Sequence, residues 1–348
     1  MYLNAHNIVQ INGSVLNSVM GISYKNDCNQ IGANCDIMVP LKSRIQNNGQ
    51  YLTDDVRNLF VKGQPVKVNA WYDEYSQNVG ILNVFNGFVY DFVEGTPMKI
   101  RCLDYNYFFR LGTIKKLFYT KERFIKVIRD IIAEANKNVD IANKSGYKIP
   151  RIELMTPYLD FEVINLSFTN LSPGACLEWL KKQLCLVITM VGNKLYVNLS
   201  SNTIGEVNLY TDQNVIEPLQ LQKPDAAFQK FHIKAQYPKP DGTKQILETG
   251  DEDGIIHEIK LFFVTQTDKG KNIHQKLLDN ALNEKRLGHY TGELNTLLYP
   301  NYDLFWKINF TDVRYTERSA KYIVREKELT ISESGYHNKC KIAYLGEL

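Results

Sequence analysis

Apolar and polar residues alternate along much of the first hundred positions, which is typical of β-strands that bury one face. Residues 98–102 (MKIRC) are a clear example. Asn12-Gly13 between apolar flanks predicts a two-residue hairpin over residues 8–16. Further strands are predicted at 35–41, 66–72 and 84–93, with a bulge or bend at Gly87 in the last of them.

The period then changes to that of a helix. Apolar residues at helical spacing follow Thr120, which is predicted to be the N-cap. They are Phe124, Val127, Ile128, Ile131, Ile132 and Ala135. The pattern predicts an amphipathic helix that ends near Lys137, and a polar loop over 137–148.

A second helix is predicted from Ser172 as N-cap and Pro173 as first helical residue. Its buried stripe consists of Leu177, Leu180 and Leu184. Gly192-Asn193 then separates two apolar runs over 184–199, which predicts a hairpin.

Strand patterns return from about residue 204. Residues 231–237 and 245–248 flank Pro240-Asp241-Gly242, a turn sequence. A third helix is predicted from Asp268 to Leu287, with Gly288 as its stop. Other strands are predicted at 255–264, 304–310, 321–331 and 339–345.

These elements predict an α+β, mostly β fold. We expect two tube-like β-barrel domains that flank a small α+β domain. The predicted boundaries are 1–103 for the first barrel, 104–203 for the α+β domain and 204–348 for the second barrel, with the helix 268–287 inserted in it. A chain of 348 residues is long enough for several such domains.

Amino-acid composition adds little to this fold prediction, but the distribution of charge narrows the possible classes of function. Aromatic residues make up 11% of the chain, and the formal net charge is only +3. No stripe of Lys and Arg of the kind that binds nucleic acid is visible, and we interpret Lys115-Lys116 and Lys181-Lys182 as solvated surface. The acidic run 248–254 lacks the ligand spacing of a calcium loop and is interpreted as an exposed loop.

The chain shows no secretory signal, and its longest apolar run, 184–191, is far shorter than the ~20 residues that span a bilayer. We therefore expect synthesis in the cytoplasm and no membrane insertion. We therefore expect no disulfide between the six cysteines. Cys102, Cys176 and Cys185 lie in apolar patterns and are predicted to be small core residues.

No motif for nucleotide binding, metalloprotease or hydrolase chemistry occurs, and the six histidines lack ligand spacing. His257-Glu258 lies in a predicted strand, where neighbouring side chains point to opposite faces. Asp104 follows a strand end, and Asp160 and Glu162 share a strand face, as a glycosidase pair could. Exposed β positions explain both better, so we assign no catalytic, cofactor-binding or metal-binding residue, and predict no enzyme.

An aromatic cluster, Tyr105, Tyr107, Phe108 and Phe109, follows the strand at 98–102. Such a cluster could stack on a sugar or a base. No basic patch accompanies it, so packing in a core or at a domain interface is the favoured interpretation.

The order of features resembles the hub proteins of phage tails, which include the late control protein D family, baseplate hubs of contractile tails and the N-terminal part of type VI secretion spikes. Four stretches carry the resemblance: 63–68 with 84–93 (GQPVKV, VFNGFVYDFV), 97–105 (PMKIRCLDY), 177–197, which holds a helix and a hairpin, and 290–346, which holds the closing strands.

The resemblance implies a homotrimer in which two barrels per chain form a pseudo-sixfold ring below a hexameric tail tube. Its partners would be the tube, tape-measure and tail-tip or spike proteins, with DNA only as transient cargo through the lumen, and its location the virion tail or baseplate. Ring closure also covers open sheet edges. The alternatives are a virion or cell-surface receptor- or glycan-binding module and a tail-associated peptidoglycan hydrolase.

Overall fold

A computed structural model describes residues 5–72, 81–155, 160–199, 201–223, 230–238, 243–261, 264–265, 273–285, 290–332 and 335–346. The first third holds nine strands: β1 (Ala5–Ile11), β2 (Ser14–Leu16), β3 (Gly21–Asp27), β4 (Asn34–Val39), β5 (Lys42–Asn47), β6 (Gln50–Asp55), β7 (Pro65–Tyr72), β8 (Leu82–Val93) and β9 (Met98–Leu103). The middle holds β10 (Ile114–Arg123), β11 (Glu153–Leu154), β12 (Glu162–Leu171), β13 (Val187–Val191) and β14 (Lys194–Asn198).

The last part contains β15 (Gly205–Tyr210), β16 (Val215–Gln222), β17 (Phe231–Pro238), β18 (Lys244–Gly250), β19 (Ile255–Lys260), β20 (Val264–Thr265), β21 (Thr291–Thr296), β22 (Trp306–Thr311), β23 (Ala320–Ser332) and β24 (Gly335–Gly346). The helices in the described ranges are α1 (Val56–Leu59), α2 (Asn106–Arg110), α3 (Phe124–Lys144), α4 (Pro173–Leu184) and α5 (Ile273–Lys285). The α+β, mostly β fold class is thus confirmed. None of these helices is long and apolar enough to cross a membrane.

One sheet, antiparallel except for the parallel pair β15 and β22, joins strands from the two ends of the chain. Its strand order is β16-β21-β24-β23-β3-β4-β9-β8-β7-β1-β2-β5-β6, with β22 and β15 branching from β23. The 13-residue β23 is long enough to pair β22 with its first half and β3 with its second. The described strands therefore do not close into two separate barrels, which corrects that part of the predicted architecture.

The side chain of Tyr336 connects β24 to β1 and β7, which form no backbone ladder with β24. The Tyr336 hydroxyl, at the start of β24, lies within hydrogen-bonding distance of the carbonyls of His6 and Trp71 on β1 and β7. The Tyr336 ring also packs edge-on against Tyr72, with centroids 5.1 Å apart. Side-chain contacts therefore connect strands that share no backbone ladder.

The hairpin predicted at Asn12-Gly13 is confirmed. Asn12 and Gly13 both have positive φ, and β1 pairs β2 across them. The bulge predicted at Gly87 is wrong, because Gly87 pairs Val66 in register and the register shifts lie on either side of it. Gly87 has another role, since a Cβ there would lie 2.3 Å from the Leu103 carbonyl oxygen.

The first long helix is shifted relative to its prediction. Thr120 does not cap it, because β10 stays paired with β12 up to Arg123 and α3 begins at Phe124. The predicted end at Lys137 is also wrong. Buried Val139 extends the apolar stripe, and the helix continues to Lys144.

The second helix and the hairpin after it are confirmed. Ser172 accepts a hydrogen bond from the Ala175 amide at 3.2 Å, and Pro173 begins α4. β13 and β14 then pair antiparallel across Gly192-Asn193.

Three hydrophobic cores lie within the described residues. One fills the first β region, and a second lies under β15, β16, β21, β22 and β24. The third unites α2, α3 and α4 with β17, β19 and α5. The strands β17 and β19 and the helix α5 thus pack on the middle of the chain, while the division at residue 204 stays a prediction.

The third helix is described over Ile273–Lys285, so its predicted cap Asp268 and stop Gly288 lie outside the described residues. The same holds for the turn Pro240-Asp241-Gly242. The strands on either side of that turn, β17 and β18, pair antiparallel as expected of a hairpin.

Candidate functional site

The solvent-facing side of the long sheet carries an ordered network of charges. Because side chains alternate along a strand, Glu326 and Glu328 on β23 share one face with Lys25 on β3. The Lys25 Nζ atom lies 2.6 Å from a Glu326 carboxylate oxygen and 2.7 Å from Glu328. On the other side of β23, Lys341 lies 2.9 Å from Glu326.

The same face continues in both directions. Lys339 on β24 forms an ion pair with Glu293 on β21. Lys99 on β9 lies 3.1 Å from Asp36 on β4. In register, Arg101 lies opposite both Asp36 and Asp91.

We call this surface the polar sheet face. It is defined by the outward charged residues Lys25, Asp27, Asp36, Lys67, Asp91, Lys99, Arg101, Glu293, Glu326, Glu328, Lys339 and Lys341. The set contains as many acids as bases, so its formal charge is zero. A neutral, ion-paired surface attracts a polyanion weakly, because phosphate binding depends on unneutralised Lys and Arg.

The hydrogen bonds within this network fix its charge states. Burial alone would raise the pKa of Glu326, but hydrogen bonds from Lys25 and Lys341 bring it below the ordinary value of 4.5. The hydrogen bond from Lys25 to Glu326 in turn raises the pKa of Lys25. Both groups are therefore charged at neutral pH.

Asp104 is buried and holds the junction between β9 and α2. Its two carboxylate oxygens accept hydrogen bonds from the backbone amides of Ala33 and Asn106, each at 2.8 Å. A Cβ on Gly32 would lie 2.2 Å from this carboxylate, so the close approach needs glycine. Burial raises the pKa of Asp104 from 3.8 to about 7, against the effect of the two amides.

The other acids singled out in the sequence are held in ion pairs. Arg123 on β10 contacts Asp160, and Lys121 lies 3.1 Å from Glu162. These contacts link β10 to the start of β12 and engage both carboxylates with cations. They support the interpretation of this pair as β-surface residues. His257 on β19 packs against the ring of Phe231, with centroids 5.7 Å apart.

The aromatic cluster is packed inside the protein. Phe88 from the first β region contacts the rings of Tyr105, Tyr107 and Phe108 at centroid distances of 5.4, 5.8 and 4.7 Å. Tyr105, Phe108 and Phe109 are all buried. The cluster joins the first region to the helical core, which confirms the interface interpretation and leaves those three rings unavailable to a sugar.

The cysteines are free thiols. Cys102 and Cys176 are core residues as predicted. Cys185 is only half-buried, because it adopts φ 51° as the C-cap of α4 rather than continuing an apolar run. Within the described ranges, no group of three His, Cys, Asp or Glu residues is placed to hold a metal ion. The absence of a bound metal stays a prediction, which elemental analysis of untagged protein can check.

A cleft of about 740 Å³ was missed by the sequence reasoning. It lies between α4, β19 and α5, and charged residues of both signs line it. Lys181, expected on the solvated surface, is half-buried there and donates to the Gln30 carbonyl at 3.0 Å, while burial lowers its pKa. Arg325 lies 3.0 Å from Glu284 at the same cleft. This ion pair joins α5 to the long sheet, and no signal in the sequence relates its two residues.

Comparison with solved structures identifies the fold. A tail protein of Neisseria meningitidis superposes with a TM-score of 0.65 at 9% identity, over 98% of this chain and 96% of that one. The 43 kDa tail protein of prophage MuSo2 from Shewanella oneidensis gives 0.59 at 14% identity, over 98% and 99%. The c3393 protein of E. coli, a type VI secretion component with structural similarity to the phage T4 tail proteins gp27 and gp5, gives 0.56 at 7% identity, over 97% and 76%.

No protein-family model matches the sequence, and no curated protein matches it. The likeness is therefore one of fold. The chain shares the fold of these tail and type VI secretion proteins over at least 97% of its length, as the sequence resemblance implied.

Proposed function

We propose that this protein is a structural, non-enzymatic hub of a phage or prophage tail or baseplate. The observation that carries the proposal is the end-to-end likeness to two tail proteins, each matched over at least 96% of its own length. A match of that extent covers the whole arrangement of β, α+β and β regions, whereas a shared barrel alone would match one part.

We further propose that three copies form a ring with pseudo-sixfold symmetry. Each chain would contribute two β regions, the one built on β3-β4-β9-β8-β7-β1 and the one built on β23-β24-β21-β16. Six such regions would match a sixfold tail tube on one side and a tail tip or spike on the other. The tape-measure protein would be a further neighbour.

The polar sheet face is the surface best suited to line the channel of that ring. A channel wall must stay hydrated and must not hold DNA that passes through it. The exposed ion pairs of this face, such as Lys25 with Glu328, each stabilise the protein by only about 0.2–1 kcal/mol. The larger consequence of the pairing is a wall without excess positive charge.

The test of the ring is its mass. Light scattering over a wide concentration range should give a trimer at the upper end and dissociation on dilution, since assembly depends on concentration. A stable dimer would contradict the hub proposal, because it would present four β regions to a sixfold tube. So would a monomer at every concentration.

Two further assays separate the hub from its alternatives. A glycan array should show no binding, since the rings of Tyr105, Phe108 and Phe109 are buried. A zymogram with peptidoglycan should show no clearing. Specific binding of a sugar, or clearing of the gel, would favour the receptor-binding or hydrolase function.

A further inference from the structure

The sheets in the described part of the chain have several edge strands, two of which are β6 and β10. β6 ends the long sheet, and β10 ends the three-stranded sheet β10-β12-β20. An edge strand presents backbone N–H and C=O groups that can pair with another chain. Natural proteins usually protect such edges with proline, charge or a bulge.

β6 lacks that protection at its centre. Its first five residues are exposed, and the side chains of Tyr51 and Leu52 are each 56% exposed. Leu52 pairs with buried Ile45 and so lies on the core side of the hairpin, yet the core does not cover it. Asp54 follows two residues later on the same face. The strand is therefore apolar in its middle and acidic at its end.

β10 has the complementary character. Phe118 is 58% exposed in the middle of the strand, and exposed Lys115 and Lys116 precede it. The Lys116 Nζ atom lies 6.0 Å from the centroid of the Phe118 ring. Among the described residues, neither lysine forms an ion pair, whereas Lys121 and Arg123 on the same strand are engaged by Glu162 and Asp160.

We propose that β6 of one copy adds to the edge of β10 in a second copy, as an antiparallel strand. This interface rests on the proposed function, which requires several copies. In the register that sets Leu52 opposite Phe118, Asp54 lies opposite Lys116, and both pairs lie on one face of the joined sheet. Directly opposed side chains lie about 4.5–5.5 Å apart at Cβ, so an apolar pair and an ion pair form together.

The proposed contact uses two different surfaces, so it is heterologous. Repeated contacts of this kind close into a ring when the rotation between copies allows, and otherwise extend into a filament. Antiparallel pairing of β6 with itself about Leu52 would set Asp54 opposite Gln50 and would form no ion pair, whereas the pairing with β10 sets Asp54 opposite Lys116.

Charge exchange tests the ion pair. Asp54→Lys and Lys116→Asp should each weaken self-association at least tenfold, and the double variant should restore it, since it only reverses the pair. Exposed Glu252→Lys and Lys144→Asp serve as matched controls and should assemble like the wild type. Unchanged association of the single variants, or no recovery in the double variant, would overturn the proposed register.

Cross-linking tests the neighbours directly. Leu52→Cys and Phe118→Cys proteins, mixed and oxidised, should give a disulfide-linked dimer, while each protein alone should not, beyond the wild-type background. A dimer from Leu52→Cys alone would mean symmetric β6 pairing, and no cross-link in the mixture would reject the interface.

The protein with both cysteines separates this interface from the hub function. Its cross-linked ladder should stop at a closed trimer. Longer ladders would keep the edge pairing and reject the trimeric ring. A trimer by light scattering without any cross-link would keep the trimeric ring and reject the edge pairing.

Discussion

The middle of the molecule and the long sheet are stabilised in different ways. The middle core is built from helices whose apolar stripes meet over short sequence distances, with Ile128, Ile131 and Leu177 almost fully buried. The long sheet instead pairs β3 with β23, about three hundred residues apart, and keeps one face polar. We propose that the middle core is a scaffold, and that the long sheet and the edge strands β6 and β10 are used for assembly.

The largest effect is expected from a cavity in the middle core. Ile128 is 1% exposed, so Ile128→Ala should lower the free energy of unfolding by about 2–5 kcal/mol in urea denaturation. Lys126 lies on the other face of α3 with an exposed ion pair to Asp130, and Lys126→Ala should change stability by less than about 0.5 kcal/mol. Equal losses from the two variants would reject the assigned role of this helix face.

A smaller effect is expected where a side chain bridges strands of the sheet. Tyr336→Phe removes the hydroxyl near the carbonyls of His6 and Trp71 and should cost about 0.5–1.5 kcal/mol, because two partly buried acceptors lose a hydrogen-bond donor. Tyr51→Phe, which changes an exposed hydroxyl, should be nearly neutral by the same thermal or urea measurement. A neutral Tyr336→Phe would show that the backbone ladders alone hold these strands.

The pH dependence should distinguish the two regions by its sign. The pKa of Asp104 is about 7 in the folded protein, against the ordinary value of 3.8 that applies to the unfolded chain. As pH rises, the unfolded chain therefore loses this proton first. Between pH 3.8 and about 7, Asp104 makes the free energy of unfolding fall as pH rises, by at most about 1.4 kcal/mol per pH unit. Asp104→Asn should flatten that slope in urea titrations, whatever it does to overall stability.

Glu326 in the sheet provides the opposite case. Its folded pKa is lowered, so its contribution is present above pH 4.5 and is lost as pH falls through the folded pKa. Glu326→Gln should therefore reduce the loss of stability in acid and leave the slope near neutrality unchanged. The same slope change in both variants would contradict the assigned pKa directions.

The least energetic effect concerns DNA. Asp36→Lys with Glu328→Lys changes the formal charge of the polar sheet face from zero to +4, and this variant should retain DNA at low salt and release it as salt rises. Glu252→Lys with Glu317→Lys adds the same charge at exposed positions outside that face, and should retain less DNA in a gel-shift assay. Equal retention of DNA by the two variants would mean that total charge, rather than charge on the polar sheet face, determines DNA binding.

Local signals in the sequence predicted local structure well. The hairpin at Asn12-Gly13 and the helix start at Ser172-Pro173 depend on a few adjacent residues. The prediction at Thr120 was wrong because threonine is common both at helix N-caps and in strands. Pairing of β10 with β12 keeps Thr120 in the strand. The shift shows that a strand partner distant in sequence can override a local capping signal.

Long-range pairing was beyond the reach of a single sequence. Strand alternation is compatible with an outward Lys25 and an outward Glu328, yet nothing in it relates residue 25 to residue 328. The polar sheet face and the bridge at Tyr336 therefore emerge only with the strand order. The resemblance to tail hubs supplied the overall order of regions but not the joining of their strands in one sheet.

The central claim is a trimeric ring with a channel lined by the polar sheet face. Electron cryomicroscopy of the concentrated protein tests it most directly. The account predicts three chains around a channel, with six β regions in pseudo-sixfold arrangement and Lys25, Glu326 and Lys341 facing the lumen. A ring with another number of chains, or with these residues on its outer surface, would contradict it.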